Sequence, residues 1–282
     1  MNNSKSKRSL PKLIIGVVTF NNQQNEIEQL SRSISFSVEN ISHHQIEAHA
    51  YIIDNGEAST WPELGIKLIG FDSAGNVGFG NAMNVLMSAA FSDPATQWFL
   101  CVNPDGVFHY KALNELLSKS VASPNSLIEA RQFPEEHPKE YDPETLETSW
   151  ASGACLLIPR AVYETIGGFD PNFFMYLEDA DYSWRARAAG FSIKFAPQAL
   201  FGHSVLGRIP DQKHFLLSAR YLGFKWRNAG FVNRMEKELI KRGLFSARSE
   251  LPPLPKSDID AKTVDPSMAD FKHHYYFAPG RW

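Results

Sequence analysis

The sequence predicts an α/β protein with a mostly parallel central sheet flanked by helices. Two observations carry that prediction. Short apolar runs alternate with stretches of helical spacing through the first half of the chain, the mark of βαβ units. The composition, 43% hydrophobic and 21% charged over 282 residues, is that of a globular chain with a real core, long enough for one large domain.

The elements follow in order. The run LIIGVVTF (13–20) reads as a buried strand, and 24–39 as a helix with Ile27, Leu30, Ile34 and Phe36 at helical spacing. EAHAYIID (47–54) and KLIGF (67–71) are strands, 79–91 is a helix, QWFLCVN (97–103) a strand, and 110–120 a helix. A short apolar run, SLIEA (126–130), follows. Residues 131–149 hold three prolines and many charges and predict a long loop, a length often tied to function in compact domains. Next come a strand (ACLLIP), a short helix (AVYETI), a GGFD turn, a helix rich in acid, and strands near 191–196 and 199–203. Residues 211–244 read as one or two helices. The expected division is a catalytic domain over 1–210, a helical segment over 211–245 and an extended tail over 246–282, wrapped on the domain or mobile.

Bulk properties exclude several classes. A net charge of −3 and a pI near 6.3 argue against a nucleic-acid binder, which would be basic. Cys101 and Cys155 both sit in apolar runs, so neither a disulfide framework nor a zinc cluster is expected, and a reducing compartment is. LIIGVVTF falls short of the roughly 18–20 apolar residues that span a bilayer. MNNSKSKR resembles a signal n-region but lacks the cleavage pattern, which points to the cytoplasm.

In parallel sheets, ligands meet the carboxyl ends of the strands, which selects Thr19–Asn21, Asp54–Gly56, Asp72–Gly80 and Asn103–Asp105. In YIIDNG, Asp54 can accept hydrogen bonds from a base or ribose, or simply begin a turn. In DSAGNVGFGNAMN, Gly75, Gly78 and Gly80 lead from strand to helix; amides there can hold a diphosphate, or the stretch is a turn and cap. In CVNPDGVF, Asn103 and Asp105 suit a hard divalent cation, although Pro-Asp-Gly is also a good β-turn. In NFFMYLEDADYSWRARAAG, Glu178, Asp181, Tyr182 and Arg185 share one helix face, while Asp179 points about 100° away. Asp181 and Arg185 form an i,i+4 pair, which leaves Asp179 without a local partner and shielded by FFMY. His203 follows a strand, where a histidine is either structural or a ligand.

Taken in this order, the stretches VVTFNN, IIDNG, GNVGFGNAMN, NPD, WASGACLLIPRAVYETIGGFDPNFFMYLEDADYSWRARAAG and GHS resemble the glycosyltransferase family 2 enzymes, in particular their rhamnosyltransferase-like and galactofuranosyltransferase-like branch. The resemblance runs over roughly residues 11–230, and its one long block, which begins WASGACLLIPR, is specific. It implies a GT-A fold and inverting transfer from a nucleoside-diphosphate sugar. Position by position, it implies that Thr19, Asn21, Asp54, Asn76, Gly78, Asn103 and Asp105 form the donor side. It further implies Mg²⁺ or Mn²⁺ on Asp105 and His203, Asp179 as general base with Glu178 beside it, and Trp150, Gly153, Asp181 and Arg185 on the acceptor side. Asn103 departs from the fuller Asp-x-Asp signature, which bears on metal affinity.

The partners implied are a dTDP- or UDP-sugar and a glycan or lipid-linked glycan acceptor, in bacterial surface polysaccharide synthesis, lipopolysaccharide included. Between Lys225 and Arg242, six Lys/Arg face two Glu, a charge excess that suits peripheral contact with the inner face of an anionic membrane; helices packed on the core with snorkelling cations are the other reading. Two further functions compete. A sugar nucleotidyltransferase would carry a glycine- and basic-rich loop after the first strand, where this chain has TFNNQQNE. A non-catalytic glycan or nucleotide binder on the same scaffold would not need Asp105, Asp179 and His203 together.

Overall fold

In the computed structural model, the described residues are 9–42, 45–203, 205, 211–255, 264–272, 275 and 278–279. The stretch MNNSKSKR, Ser204 of GHS and parts of the tail lie outside them. The strands are β1 (Lys12–Thr19), β2 (Glu47–Asp54), β3 (Lys67–Phe71), β4 (Thr96–Val102), β5 (Val107–Phe108), β6 (Ser126–Phe133), β7 (Glu135–Glu136), β8 (Cys155–Pro159), β9 (Ser192–Gly202) and β10 (Ala278–Pro279). The helices are α1 (Gln24–Glu39), α2 (Phe79–Ser92), α3 (Ala112–Ala122), α4 (Arg160–Ile166), α5 (Glu178–Ala188), α6 (Gln212–Lys225) and α7 (Ala229–Lys241). None of the described helices is long and apolar enough to cross a membrane.

Eight strands form one sheet in the order β3-β2-β1-β4-β8-β6-β9-β5. β3, β2, β1 and β4 are parallel, as are β6 and β9, whereas β8 runs antiparallel to both β4 and β6. The reversal of β8 matters for the site. Cys155 at its start pairs with Val102 at the end of β4, so the chain just before β8 crosses the carboxyl ends of the parallel strands. Apolar side chains alternate to both faces. One layer packs α2, α4 and α5 on the sheet through Met83, Leu86, Phe99 and Tyr182. The other packs α1 and α3 through Leu30, Ile34, Leu113 and Leu117. A third apolar cluster joins α5, α6 and α7 through Trp184, Leu222, Trp226 and Leu239.

Several sequence expectations change. In α1, Ile27, Leu30 and Ile34 are buried but Phe36 is 61% exposed, because it lies two residues past Ile34 and off the apolar stripe. The two strands expected near 191–196 and 199–203 are one. The pairing of β9 with β6 slips between Ala130 and Arg131, so that Ala196 and Leu200 take adjacent partners and Pro197–Ala199 bulge out, where proline's missing N–H is tolerated. β6 continues to Phe133, three residues beyond the apolar run. The expected long loop over 131–149 is partly ordered by β7 and by bridges Tyr141–Thr148 and Glu147–Lys194. The described part of the tail packs on the domain: β10 pairs with β7, and Phe271 and Tyr275 lie against Trp184.

Candidate active site

The site is built at the carboxyl ends of β1, β2 and β4. On the β1–β2 side, Thr19 and Asp54 are register partners. The Thr19 hydroxyl donates to Asp54 Oδ1, which also accepts from the Ser59 hydroxyl at 2.9 Å. Thr19 is fully buried, so it orients Asp54 rather than lining the donor side as expected. Asn21 is exposed with φ 52°, and its Oδ1 accepts the Glu57 amide at 3.1 Å.

The glycine loop packs onto the segment that precedes α5. Gly78 caps α2 with φ 85°, and a Cβ there would meet the Phe174 carbonyl oxygen at 2.0 Å. Both facts require glycine. Asn55, inside the selected stretch Asp54–Gly56, donates to the Gly78 carbonyl at 3.1 Å and so ties the β2 end to the loop. Asn76 is exposed, with Oδ1 accepting the Gly78 amide at 3.1 Å.

At the end of β4, Asp105 Oδ1 lies 3.3 Å from His203 Nε2, and Asn103 Nδ2 is also 3.3 Å from that nitrogen. His203 Nδ1 faces Gln132 Oε1 at 3.1 Å. An amide oxygen only accepts, so Nδ1 carries the proton and Nε2 the lone pair in the neutral ring. That donor set, one carboxylate oxygen and one oriented imidazole nitrogen, fits a divalent ion whose remaining ligands are diphosphate oxygens and water. Among the described residues no three His, Cys, Asp or Glu are gathered into a complete protein cage.

Glu178 and Asp179 begin α5 after two consecutive left-handed residues, Tyr176 (φ 70°) and Leu177 (φ 66°). Non-glycine residues in this region store about 1–3 kcal/mol each and gather at functional sites. Asp179 is not without partners: Oδ2 accepts the Gly153 amide and Oδ1 the Ala180 amide, both at 2.8 Å. Burial raises its affinity for protons despite those two donors. Glu178 is buried with Oε2 lacking a hydrogen bond, and burial together with the Asp179 charge pushes its pKa up to about 8.

Two hydrogen bonds join the two ends of the site. The Asn103 amide donates to the Ala154 carbonyl at 2.9 Å, and the next residue back, Gly153, donates to Asp179. The dipeptide 153–154 therefore lies between the β4 end and the start of α5.

Three expected acceptor residues do not line this region. Asp181 is fully buried and bonded to Arg185 (2.9 Å), Lys225 (2.8 Å) and the Trp226 indole (3.0 Å). Arg185 spends its other donors on the Ile166 and Gly168 carbonyls. Trp150 is 1% exposed beneath Tyr275, with ring centroids 5.2 Å apart. Lys225 also leaves the expected basic surface, since it is buried between Asp181 and Asp170. A broad hollow of about 630 Å³ bounded by Glu140, Glu147, Ser149 and Arg187 is lined by none of the expected site residues.

Sequence reasoning missed Glu129, Lys139 and Ser183, which hold the segment before β8. A glutamate inside the apolar run SLIEA was the available signal, because an acid there must be paired.

Residues 128–224 match the family described as glycosyltransferase like family 2. Over those residues the chain is similar to a glycosyltransferase family 2 domain. Among curated relatives of this domain, the N-acetylglucosaminyl-diphospho-decaprenol L-rhamnosyltransferase of Mycobacterium tuberculosis is 26% identical, the match covering 52% of this chain and 64% of the relative. A low-salt glycan biosynthesis hexosyltransferase of Haloferax volcanii is 25% identical, covering 55% of this chain and 57% of the relative. The chain thus spans less than two thirds of the length of these relatives. Among solved structures, the mannosyltransferase PcManGT of Pyrobaculum calidifontis, in complex with GDP-Man and Mn²⁺, superposes with a TM-score of 0.51 at 15% identity, over 83% of this chain and 65% of the other. The fold of the chain is GT-A.

Proposed function

We propose that this protein is an inverting glycosyltransferase. It moves a hexosyl unit, rhamnose before galactofuranose, from a dTDP- or UDP-sugar to a hydroxyl of a glycan acceptor. One observation carries the reading: Asp179 and the end of β4 flank the Gly153–Ala154 dipeptide, each by one hydrogen bond. The names of the relatives support the class of reaction, and that of the mycobacterial rhamnosyltransferase supports a lipid-linked acceptor.

Asp179 is the general base. It takes the proton of the acceptor hydroxyl as that oxygen bonds to the anomeric carbon. The bond from this carbon to the diphosphate breaks on the opposite face, and its electron pair leaves with the nucleoside diphosphate. The Gly153 and Ala180 amides fix the carboxylate, and burial keeps it basic. Asp54, held by Thr19 and Ser59, takes the nucleoside side, with Asn21, Asn76 and Gly78 around the donor. Asp105 and His203 would hold Mg²⁺ or Mn²⁺, which supplies charge neutralisation for the leaving group. Gly153 borders the acceptor, and the protein works in the cytoplasm at the inner membrane face.

A donor panel tests this reading. Purified protein is given dTDP-rhamnose, UDP-galactofuranose and GDP-mannose, with and without a lipid-linked glycan and with Mg²⁺ or EDTA. Release of dTDP or UDP that requires both acceptor and metal is expected. Absence of release from every donor, with the nucleotides still bound, would favour a binding protein on the same scaffold.

A further inference from the structure

We propose that the buried Glu129–Lys139 pair is a positioning device for Asp179, acting through the Trp150–Gly153 segment that lies between them. The inference rests on reading Asp179 as the base. Glu129 is 2% exposed and Lys139 5% exposed, and the Lys139 ammonium donates to both Glu129 oxygens, to Oε1 at 2.7 Å. Neither side chain ends its contacts there. Lys139 also donates to the Trp150 carbonyl at 2.9 Å, and its charge lies 4.3 Å from the centre of the Trp150 ring. Glu129 Oε1 accepts the Ser152 amide at 2.9 Å.

The segment between is anchored at every residue. Trp150 is held through its carbonyl by Lys139 and Ser152 through its amide by Glu129. The Ala151 amide donates to the Ser183 hydroxyl at 3.0 Å, and that hydroxyl donates to the Asp179 carbonyl at 2.8 Å. The Gly153 amide then donates to the Asp179 carboxylate. Consecutive amides, those of Ser152 and Gly153, are thus shared between Glu129 and Asp179. The two amides belong to neighbouring peptide planes that meet at the Ser152 Cα, so a shift of the first plane is passed to the second.

A buried ion pair is a poor way to add stability, since an apolar pair of similar volume is often neutral or better. This pair sits where a small displacement reaches the base. It is too deep to touch a substrate, so its effect passes through the backbone it grips.

Two double variants separate positioning from bulk stability, using the donor and acceptor that the panel identifies, dTDP-rhamnose first. Glu129→Leu/Lys139→Met keeps the volume and removes both grips on the segment. It is expected to fold by circular dichroism, to keep the donor KM, and to lose kcat by ~10²-fold, the scale of a misplaced catalytic group. Glu129→Gln/Lys139→Gln restores an acceptor for the Ser152 amide and a donor for the Trp150 carbonyl, and should recover most of that loss. If the Leu/Met variant folds with full kcat, or if the Gln/Gln variant is as slow as the Leu/Met variant, the inference is wrong. Should the Leu/Met variant not fold, recovery of wild-type-like kcat by Gln/Gln but not by Glu129→Ala/Lys139→Gln, which lacks the Ser152 acceptor, decides the same point. Asp179→Asn, assayed alongside, separates the two failures: if it transfers sugar at full rate, the assignment of the base fails rather than the positioning.

Discussion

Asp179→Asn is expected to slow sugar transfer by ~10²–10⁴-fold, the contribution of a positioned general base, while nucleoside-diphosphate affinity is unchanged. The asparagine side chain occupies nearly the same volume but cannot take a proton at neutral pH. It offers one acceptor oxygen where the carboxylate uses two, so either the Gly153 or the Ala180 amide must face its NH₂ group. The control is therefore nucleotide binding by calorimetry on the same preparation. Loss of transfer with binding intact locates the effect at the chemical step. Transfer within twofold of wild type, about 0.4 kcal/mol, would remove Asp179 from the mechanism.

Lys225→Met is expected to have the largest effect on stability. Lys225 lies in the interior, 2.6 Å from Asp170 and 2.8 Å from Asp181, and joins α6 to the turn before α5 and to α5 itself. Removing one member of a buried ion network leaves the others uncompensated, which costs about 3–5 kcal/mol. Urea unfolding followed by circular dichroism would read this as a lower midpoint at unchanged slope. A loss below about 1 kcal/mol would mean that Arg185 and Trp226 alone satisfy Asp181. The network also has a pH signature. Burial alone would raise the Asp170 pKa, but Lys225, with Asn172 and Tyr221, outweighs it and holds the pKa below its ordinary 3.8. A lowered folded-state value means that this stabilisation is complete above pH 3.8 and is lost as pH falls through the folded value. The Lys225→Met protein should therefore show a weaker acid-side dependence.

The parts of the fold legible in the sequence were those written as local periodicity. β2 and β3 match the apolar runs to the residue, and α1 occupies the predicted 24–39, because burial on one face imposes a period that short stretches display. Features set by distant partners were not legible. The continuation of β6 through Arg131–Phe133 depends on pairing with Leu200–Gly202, some 70 residues away, beyond any local pattern. The Pro197 bulge likewise broke one strand into two apparent ones.

The site divides in the same way. Asp105 and His203 stood out because each follows an apolar strand, and Asp179 because it points away from the Asp181–Arg185 pair. Asp181 and Arg185 were read as an i,i+4 pair, which they are, but Lys225 and Trp226 arrive from α6 and its end to bond Asp181, and the Ile166 and Gly168 carbonyls take up Arg185. Thr19 was placed at the right strand end, yet burial turned it from a contact into a support for Asp54. The acceptor role expected of Trp150 meets a cover, Tyr275, that only the folded tail supplies.

The most direct test of convergence is magnetic. With Mn²⁺ and UDP or dTDP added to isotope-labelled protein, the amide resonances of Gly153 and Ala180, the two donors to Asp179, should broaden strongly, while those of Lys237 and Lys241 in α7 stay sharp. The broadening should disappear in Asp105→Ala. Sharp Gly153 and Ala180 signals in the presence of bound Mn²⁺, or broadening that survives Asp105→Ala, would contradict a metal site and a base that share one sugar.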